Sequence, residues 1–120
     1  AIKLAPEYSF AYFERASVRY KLKDYQASIK DLDKAIELDP DNSLAYANRG
    51  LTKEELGDYQ GAIEDLTKVI AIDHTFNAAF HVRGIAKKEL GDLKGACEDW
   101  KKATELGDKD AGKFLEEQCQ

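Results

Sequence analysis

Arginine and aspartate recur together at a fixed spacing along the 120-residue chain. The pairs are Arg15 with Asp31, Arg49 with Asp65, and Arg83 with Asp99. A guanidinium can bind a carboxylate through two parallel hydrogen bonds, so the pattern predicts three ion pairs if the chain brings these groups together. We interpret the row as structural, because such pairs set register more reliably than they add stability. A ligand-binding row of arginines is the alternative.

Two geometries are open for the middle arginine. Arg49 and Asp65 are equidistant from Gly57, whereas Arg49 and Asp31 are equidistant from Pro40. If the chain reverses direction at both points, it forms successive hairpins. Arg49 can then bridge to the aspartate of its own hairpin, to that of the preceding hairpin, or to both.

The two cysteines have a similar mirror relation. Cys97 and Cys119 each lie eleven residues from Asp108, where we expect a turn between antiparallel helices. They would then face each other, and a disulfide is possible if their Cα atoms are roughly 4.4–6.8 Å apart. A disulfide would indicate an extracytoplasmic compartment. Two reduced, half-buried thiols are the alternative, and the compartment itself stays open.

The sequence lacks the groupings that catalysis needs. It has no Ser/His/Asp arrangement, no paired catalytic carboxylates and no phosphate-binding glycine loop. Two cysteines without a nearby histidine are too few ligands for a metal. We therefore expect no enzymatic activity, no metal and no cofactor. The net charge of −5 argues against nucleic acid, and no apolar run reaches the ~20 residues needed for membrane insertion.

An internal repeat of 34 residues explains these spacings. Asp24-Tyr25-Gln26 recurs as Asp58-Tyr59-Gln60, and Leu56-Gly57-Asp58 recurs as Leu90-Gly91-Asp92. Self-similarity at a fixed period is typical of stacked repeat arrays.

Each copy reads as two amphipathic helices around a short turn. We predict the first helix, helix A, at residues 8–21, 42–55 and 76–89, and the second, helix B, at 25–37, 59–71 and 93–105. Asp24, Asp58 and Asp92 suit the N-cap of helix B, and Gly57 and Gly91 suit the left-handed residue before it. Lys23 holds that place in the first copy, at a cost of roughly 1 kcal/mol.

The repeats and their ends divide the chain into five segments. We predict the remnant of a preceding repeat at 1–6, repeats at 7–40, 41–74 and 75–108, and a C-terminal capping helix at 109–120. We expect the array to continue upstream of residue 1 and to end at the capping helix, which carries a polar outer face.

These residues resemble the tetratricopeptide repeat family over nearly the whole chain. The family's early aromatic in helix A is matched by Tyr12, Tyr46 and Phe80, and its small residue four positions later by Ala16, Gly50 and Gly84. In helix B the small, large and small positions hold Ser28, Leu32 and Ala35 in the first copy, Ala62, Leu66 and Val69 in the second, and Ala96, Trp100 and Ala103 in the third. Arginine replaces the usual leucine at residues 15, 49 and 83.

The resemblance implies an all-α fold, a right-handed superhelical solenoid of α-α hairpins whose concave groove is lined by the A helices. It also implies protein–protein recognition without chemistry. The stripe expected to line a peptide groove consists of Phe10, Phe13, Ser17, Leu44, Asn48, Leu51, His81, Val82 and Ile85. The alternative for Phe10, Phe13 and Leu44 is that they pack against a preceding repeat or within the array.

One subgroup of the family grips the acidic C-terminal tails of heat-shock chaperones with a two-carboxylate clamp of lysine, arginine and asparagine. At the clamp positions this chain has Phe13, Ser17, Asn48, Ala78 and Val82, so only Asn48 matches. We therefore predict a scaffold for a protein or peptide partner, a peptide or helix segment in the groove, without assuming a chaperone tail. The alternative is a self-association module of a larger repeat protein.

Overall fold

The computed structural model of the protein describes residues 6–119, and within them it contains seven α-helices and no β-strand. The helices are α1 (Pro6–Lys21), α2 (Tyr25–Leu38), α3 (Ser43–Glu55), α4 (Tyr59–Ile72), α5 (Asn77–Glu89), α6 (Leu93–Glu105) and α7 (Lys109–Gln118). Helices α1, α3 and α5 are the A helices, and α2, α4 and α6 are the B helices. The predicted all-α hairpin solenoid is confirmed.

The three hairpins correspond to the three predicted repeats. Helix α1 begins at Pro6, one residue before the first predicted boundary, and α7 lies within the segment predicted as the capping helix. Most of the predicted remnant at 1–6 lies outside the described residues.

The turn inside each hairpin forms for the reasons that its residues indicate. Lys23, Gly57 and Gly91 have positive φ angles of 62°, 81° and 89°. Each is followed by an aspartate whose side chain accepts a backbone N–H three residues later, with N–O distances of 3.4, 3.0 and 2.9 Å. These caps satisfy N–H groups that the first turn of a helix otherwise leaves without a partner. The predicted N-caps of the B helices and the left-handed lysine are therefore confirmed.

The hairpins close over small residues of the A helices. Ala16, Gly50 and Gly84 are buried, and the large residues at the facing B-helix position, Leu32, Leu66 and Trp100, are at most 1% exposed. The fit is tightest in the third hairpin, where a Cβ added at Gly84 would lie 2.5 Å from Trp100 Nε1. The Trp100 indole N–H donates a hydrogen bond of 3.2 Å to the carbonyl oxygen of His81. The small A-helix residue thus lets the two helices approach.

The molecule is an elongated stack, 51 × 26 × 22 Å. Each helix packs mainly on the helices next to it in the chain, and the A helices also touch one another, α1 with α3 and α3 with α5. Helix α7 covers α6 through the buried Ala111 and the partly buried Phe114 and Leu115. The stacking places the A helices side by side, and their shared exposed face is where a binding site can form.

Candidate functional site

Two adjoining cavities lie along the face shared by the A helices. The first, of about 180 Å³, lies between α1 and α3 and is lined by Ala16, Ser17, Tyr20, Lys21, Ser28, Asn48, Leu51 and Thr52. The second, of about 210 Å³, lies between α3 and α5 and is lined by Leu44, Ala47, Asn48, Leu51, Leu66, Phe76, Ala78, Ala79 and Val82. Asn48 and Leu51 line both, so α3 stands at the centre of one continuous surface, which we call the A-helix groove.

Five of the nine residues predicted for a peptide groove line these cavities: Ser17, Leu44, Asn48, Leu51 and Val82. Leu51 is the central apolar group, since it contacts both cavities without belonging to a buried hydrophobic cluster. Leu44, which lines the second cavity, is half exposed. The groove is therefore apolar along its middle, with one amide at Asn48.

Phe10 and Phe13 lie at the α1 end of this surface. Their rings are stacked with centroids 6.3 Å apart, and Phe10 is 57% exposed. Phe13 also packs against the buried cluster of the first hairpin, so part of its ring belongs to the core. Of the two alternatives, packing applies to Phe13, whereas Phe10 stays accessible.

His81 and Ile85 differ from the expectation that they line an open groove. The His81 Nδ1 atom lies 3.0 Å from Asp108 Oδ2, and its ring meets Phe114 edge-on at 5.4 Å. Ile85 packs against the cluster around Trp100. His81 therefore contacts α7, and Ile85 packs on a buried cluster and lines neither cavity. A search for a groove stripe by repeat position misses this, because α7 lies beyond the last repeat.

Carboxylates gather one helical turn beyond Leu51. The Glu54 Oε2 atom is buried and has no hydrogen-bond partner among the described residues. Burial raises the pKa of the Glu54 carboxyl, and the negative charges of Glu55 and Glu89 raise it further, whereas His81 lowers it. Burial also raises the pKa of the Tyr20 phenol, with Glu55 and Glu54 adding to the shift. This end of the groove is acidic and partly desolvated.

The predicted arginine–aspartate pairs are bidentate in all three hairpins. Arg15, Arg49 and Arg83 each donate from Nε and Nη2 to both oxygens of the aspartate in their own helix B, over 2.7–3.0 Å. Each guanidinium also lies over the aromatic ring three residues earlier in helix A. The aspartates are at most 4% exposed, so these pairs act inside each hairpin. The side chains of Arg49 and Arg83 are 19% and 16% exposed, whereas that of Arg15 is 54% exposed.

The cross-hairpin contact goes to a residue that the mirror argument missed. Arg49 Nη1 donates to Asp33, not Asp31, at 2.8 Å, and Arg83 Nη1 donates to the Thr67 hydroxyl at 3.2 Å. The loop between hairpins is not symmetric about Pro40. The predicted partner of Arg49 in the preceding hairpin, Asp31, was therefore wrong by two residues. Asp33 and Thr67 stand at the same repeat position, which is the signal that could have identified them.

A second cation joins each buried aspartate. Arg19, Lys53 and Lys87 lie 3.0, 3.1 and 3.0 Å from Asp31, Asp65 and Asp99. These three cations stand at the same repeat position, which is the sequence signal that could have identified their shared role. Hydrogen bonding to Asp65 raises the pKa of the Arg49 guanidinium.

Cys97 and Cys119 form a disulfide, with their Cα atoms 5.8 Å apart. The bond joins α6 to the residue that follows α7, and Cys119 N–H donates to the carbonyl of Leu115. It therefore fixes the far end of α7, while the contact of His81 with Asp108 fixes its beginning.

Residues 6–119 contain no group of three His, Cys, Asp or Glu side chains placed to hold a metal ion. None of the helices in this range combines the length and hydrophobicity that crossing a bilayer requires.

Comparison with known proteins places the chain in a family. A family model described as TPR repeat matches residues 16–57, and one described as tetratricopeptide repeat matches residues 44–75. The TPR domain of Arabidopsis OM64 is 31% identical over 92% of this chain and 96% of that chain, with a TM-score of 0.87. The chain belongs to the tetratricopeptide repeat family.

Two further solved structures are similar and hold peptides. The second TPR domain of human RPAP3, in complex with the HSP70 peptide SGPTIEEVD, is 28% identical over 97% of this chain and 99% of that chain, with a TM-score of 0.90. The first TPR of Spaghetti (RPAP3), bound to the HSP90 peptide SRMEEVD, has a TM-score of 0.91 over 97% of this chain and 94% of that chain; at 23% identity it shows the fold alone. No curated protein sequence matches the chain significantly.

Proposed function

We propose that the protein is a non-catalytic scaffold that binds a peptide segment of a partner protein in the A-helix groove. One observation supports this above the others: two cavities of about 180 and 210 Å³ adjoin at Leu51 and Asn48 on the exposed face of the A helices. Apolar cavities with a few polar groups are the usual form of a recognition site. The family and its peptide-bound relatives support the same function.

The dimensions of the groove suit a short segment. Neighbouring packed helices are roughly 8–10 Å apart, so three A helices present about 20 Å of surface. An extended chain advances roughly 3.3 Å per residue, so about six to eight residues would cover the groove. Leu51 would receive an apolar anchor, and the Asn48 amide can hydrogen-bond the backbone of the bound segment.

The partner is proposed to differ from an acidic chaperone tail. At the clamp positions, Phe13, Ala78 and Val82 supply no positive charge, so a terminal carboxylate would find no cation there. We expect SGPTIEEVD, the HSP70 peptide that the human RPAP3 domain holds, to bind this chain weakly or not at all.

Selection of peptides from a displayed random library, followed by isothermal titration of the best binders, tests the proposal. Leu51→Lys replaces the apolar contact between the two cavities with a charged group and should weaken binding at least about tenfold, since the apolar anchor of the segment would lose its contact. Leu93→Lys is the matched control, because Leu93 is an exposed leucine of α6 outside both cavities. Failure to select any peptide, or equal loss with both variants, would refute the groove.

Self-association is the second candidate, and the outer face of α1 favours it. Tyr8, Ala11, Tyr12 and Arg15 line a shallow cavity of about 350 Å³ there. The equivalent faces of α3 and α5 are covered by the preceding hairpin. Stacking of copies head to tail is opposed by α7, which covers the face of α6 that the next copy would need. Sedimentation at several concentrations separates the candidates, since a monomer at all of them would exclude self-association.

A further inference from the structure

We propose that the segment bound in the A-helix groove carries an arginine or lysine next to its apolar anchor, and that this cation pairs with Glu54. The inference rests on the proposed function and specifies the chemistry of its ligand. The anchor would lie at Leu51, between the two cavities, and the basic group one helical turn further along α3.

Glu54 is placed for this role by its spacing from Leu51. Residues three apart on a helix are neighbours on one face, so Glu54 continues the stripe that Leu51 begins. Its side chain interacts electrostatically with both flanking A helices, because Glu54 raises the pKa of Tyr20 in α1 and His81 in α5 lowers the pKa of Glu54. Tyr20 also lines the first cavity. Glu54 lines neither cavity itself, but it lies one helical turn beyond Leu51, which lines both, and its charge acts on Tyr20, which lines the first.

One oxygen of this carboxylate has no protein partner. Glu54 Oε2 is buried and makes no hydrogen bond in the described part of the chain. Buried polar atoms are nearly always hydrogen-bonded, and leaving one without a partner is costly. The ammonium of a lysine or the guanidinium of an arginine supplies the missing donor together with an opposite charge.

The nearby cations of the chain are engaged elsewhere. Lys53 pairs with Asp65 and Lys87 pairs with Asp99. The Nδ1 atom of His81 is taken by Asp108. Lys21 and Lys88 are exposed, and no ion pair joins either to Glu54 within residues 6–119. Burial is the main cause of the raised pKa of Glu54, and the negative charges of Glu55 and Glu89 add to it, so a cation from outside would be favoured beside this carboxylate.

Selection from a library of peptides with blocked termini tests the inference, with wild type, Glu54→Gln and Glu64→Gln as baits. Glu64→Gln is the matched control, since Glu64 is an exposed glutamate of helix B. Wild type and Glu64→Gln should enrich arginine or lysine at one fixed distance from the apolar anchor, and Glu54→Gln should lose that enrichment. The best selected peptide should bind Glu54→Gln at least about tenfold more weakly, as expected for a charge-assisted hydrogen bond.

Replacing the basic residue of that peptide by glutamine should produce the same loss with wild type and little further loss with Glu54→Gln. The inference is overturned if wild type selects neutral or acidic residues throughout, or if Glu54→Gln binds as tightly as wild type. If Leu51→Lys still abolishes binding in that case, the groove stands and only the basic residue is rejected. If no peptide depends on Leu51, the proposed function fails and this inference fails with it.

Discussion

Glu54 combines burial with two neighbouring negative charges. Its carboxyl has a pKa above the ordinary glutamate value in the folded protein, so the folded state holds the proton more strongly than the unfolded state does. Ionisation of Glu54 therefore opposes folding. This penalty is absent below the ordinary pKa, grows as the pH rises towards the folded pKa, and is complete above it.

Glu54→Gln should consequently stabilise the free protein at neutral pH. The expected gain is up to about 1 kcal/mol, limited by solvent screening of a partly exposed side chain. It should shrink towards zero at about pH 3, well below the ordinary glutamate pKa, where the wild-type side chain is protonated in both states. Thermal melts of variant and wild type at the two pH values measure this, and a variant less stable at neutral pH would contradict it. The same substitution would thus stabilise the free protein while weakening ligand binding.

Gly84 and Gly50 occupy the same repeat position against different neighbours. A Cβ at Gly84 would lie 2.5 Å and 2.7 Å from the Nε1 and Cδ1 atoms of Trp100, a rigid ring that is fully buried. A Cβ at Gly50 would lie 3.0 Å from the Cγ atom of Leu66, a more flexible side chain. Ala16 fills this position in the first hairpin, so the repeat itself tolerates alanine.

Gly84→Ala should therefore destabilise the protein by about 1–2 kcal/mol, because overpacking outweighs the roughly 1 kcal/mol gained in helix propensity. Gly50→Ala should lie within about 1 kcal/mol of wild type, since the two effects nearly cancel. Urea unfolding of both variants measures the difference. Equal stability of the two variants would show that Trp100 can move aside.

Residues that play the same role in every repeat could be predicted from the sequence, whereas residues with a role in only one repeat could not. The arginine–aspartate pairs recur three times, so mirror positions about each turn were enough to match them. Asp33 lies across the loop between hairpins, whose geometry no mirror rule fixes. The buried Glu54 oxygen could not be predicted either, because its burial depends on the packing of neighbouring helices and not on the repeat spacing.

At the scale of elements, α7 shows how the last hairpin is closed. It is the shortest helix described and buries one residue completely, Ala111. Phe114 contacts both Trp100 and His81, and Asp108 both caps the helix and contacts His81. Its bounds were predicted from sequence, since they follow from the repeat period. The contact of α7 with His81 was not predicted, because His81 was assigned to the groove by analogy with the inner repeats.

The disulfide should account for much of the attachment of α7. It closes a loop across a sequence separation of 22, which in the chain-entropy account stabilises by about 3 kcal/mol. Cys97→Ser/Cys119→Ser should lose about this amount, and reduction of wild type should reproduce the loss without affecting the double variant. Amide exchange should quicken mainly in α7, since few buried side chains hold it. Equal stability of oxidised and reduced wild type would contradict the prediction.

At the scale of the whole molecule, the packing of residues 6–119 is made mainly of contacts between neighbouring helices. Helices touch their neighbours in the chain and, among the A helices, the next one along. Stability in such an array is a sum of repeat terms and interface terms, so cooperativity depends on each interface. Arg49 stands at one of them, since it binds Asp65 in its own hairpin and Asp33 in the preceding one.

Arg49→Leu should therefore reduce cooperativity as well as stability. Asp65 would keep only Lys53, at a cost of about 2–3 kcal/mol, and the charged contact between the first two hairpins would be lost. Trp100 is the single tryptophan and reports on the third hairpin, whereas circular dichroism reports on all helices. In urea the two signals should coincide for wild type and separate for Arg49→Leu, with helix lost before the tryptophan signal changes.

Arg83→Leu is the control for that experiment. This substitution removes the arginine partner of Asp99, as Arg49→Leu does for Asp65. Arg83, however, lies in the hairpin that contains Trp100, and its partner in the preceding hairpin, Thr67, is neutral. Its tryptophan transition should therefore move to lower urea with, or ahead of, the loss of helix. If both variants instead unfold in one transition with an unchanged slope, the arginines act only within their own hairpins. The interfaces between hairpins would then be held by packing alone, through residues such as Ile70, which contacts the cores of both the second and third hairpins.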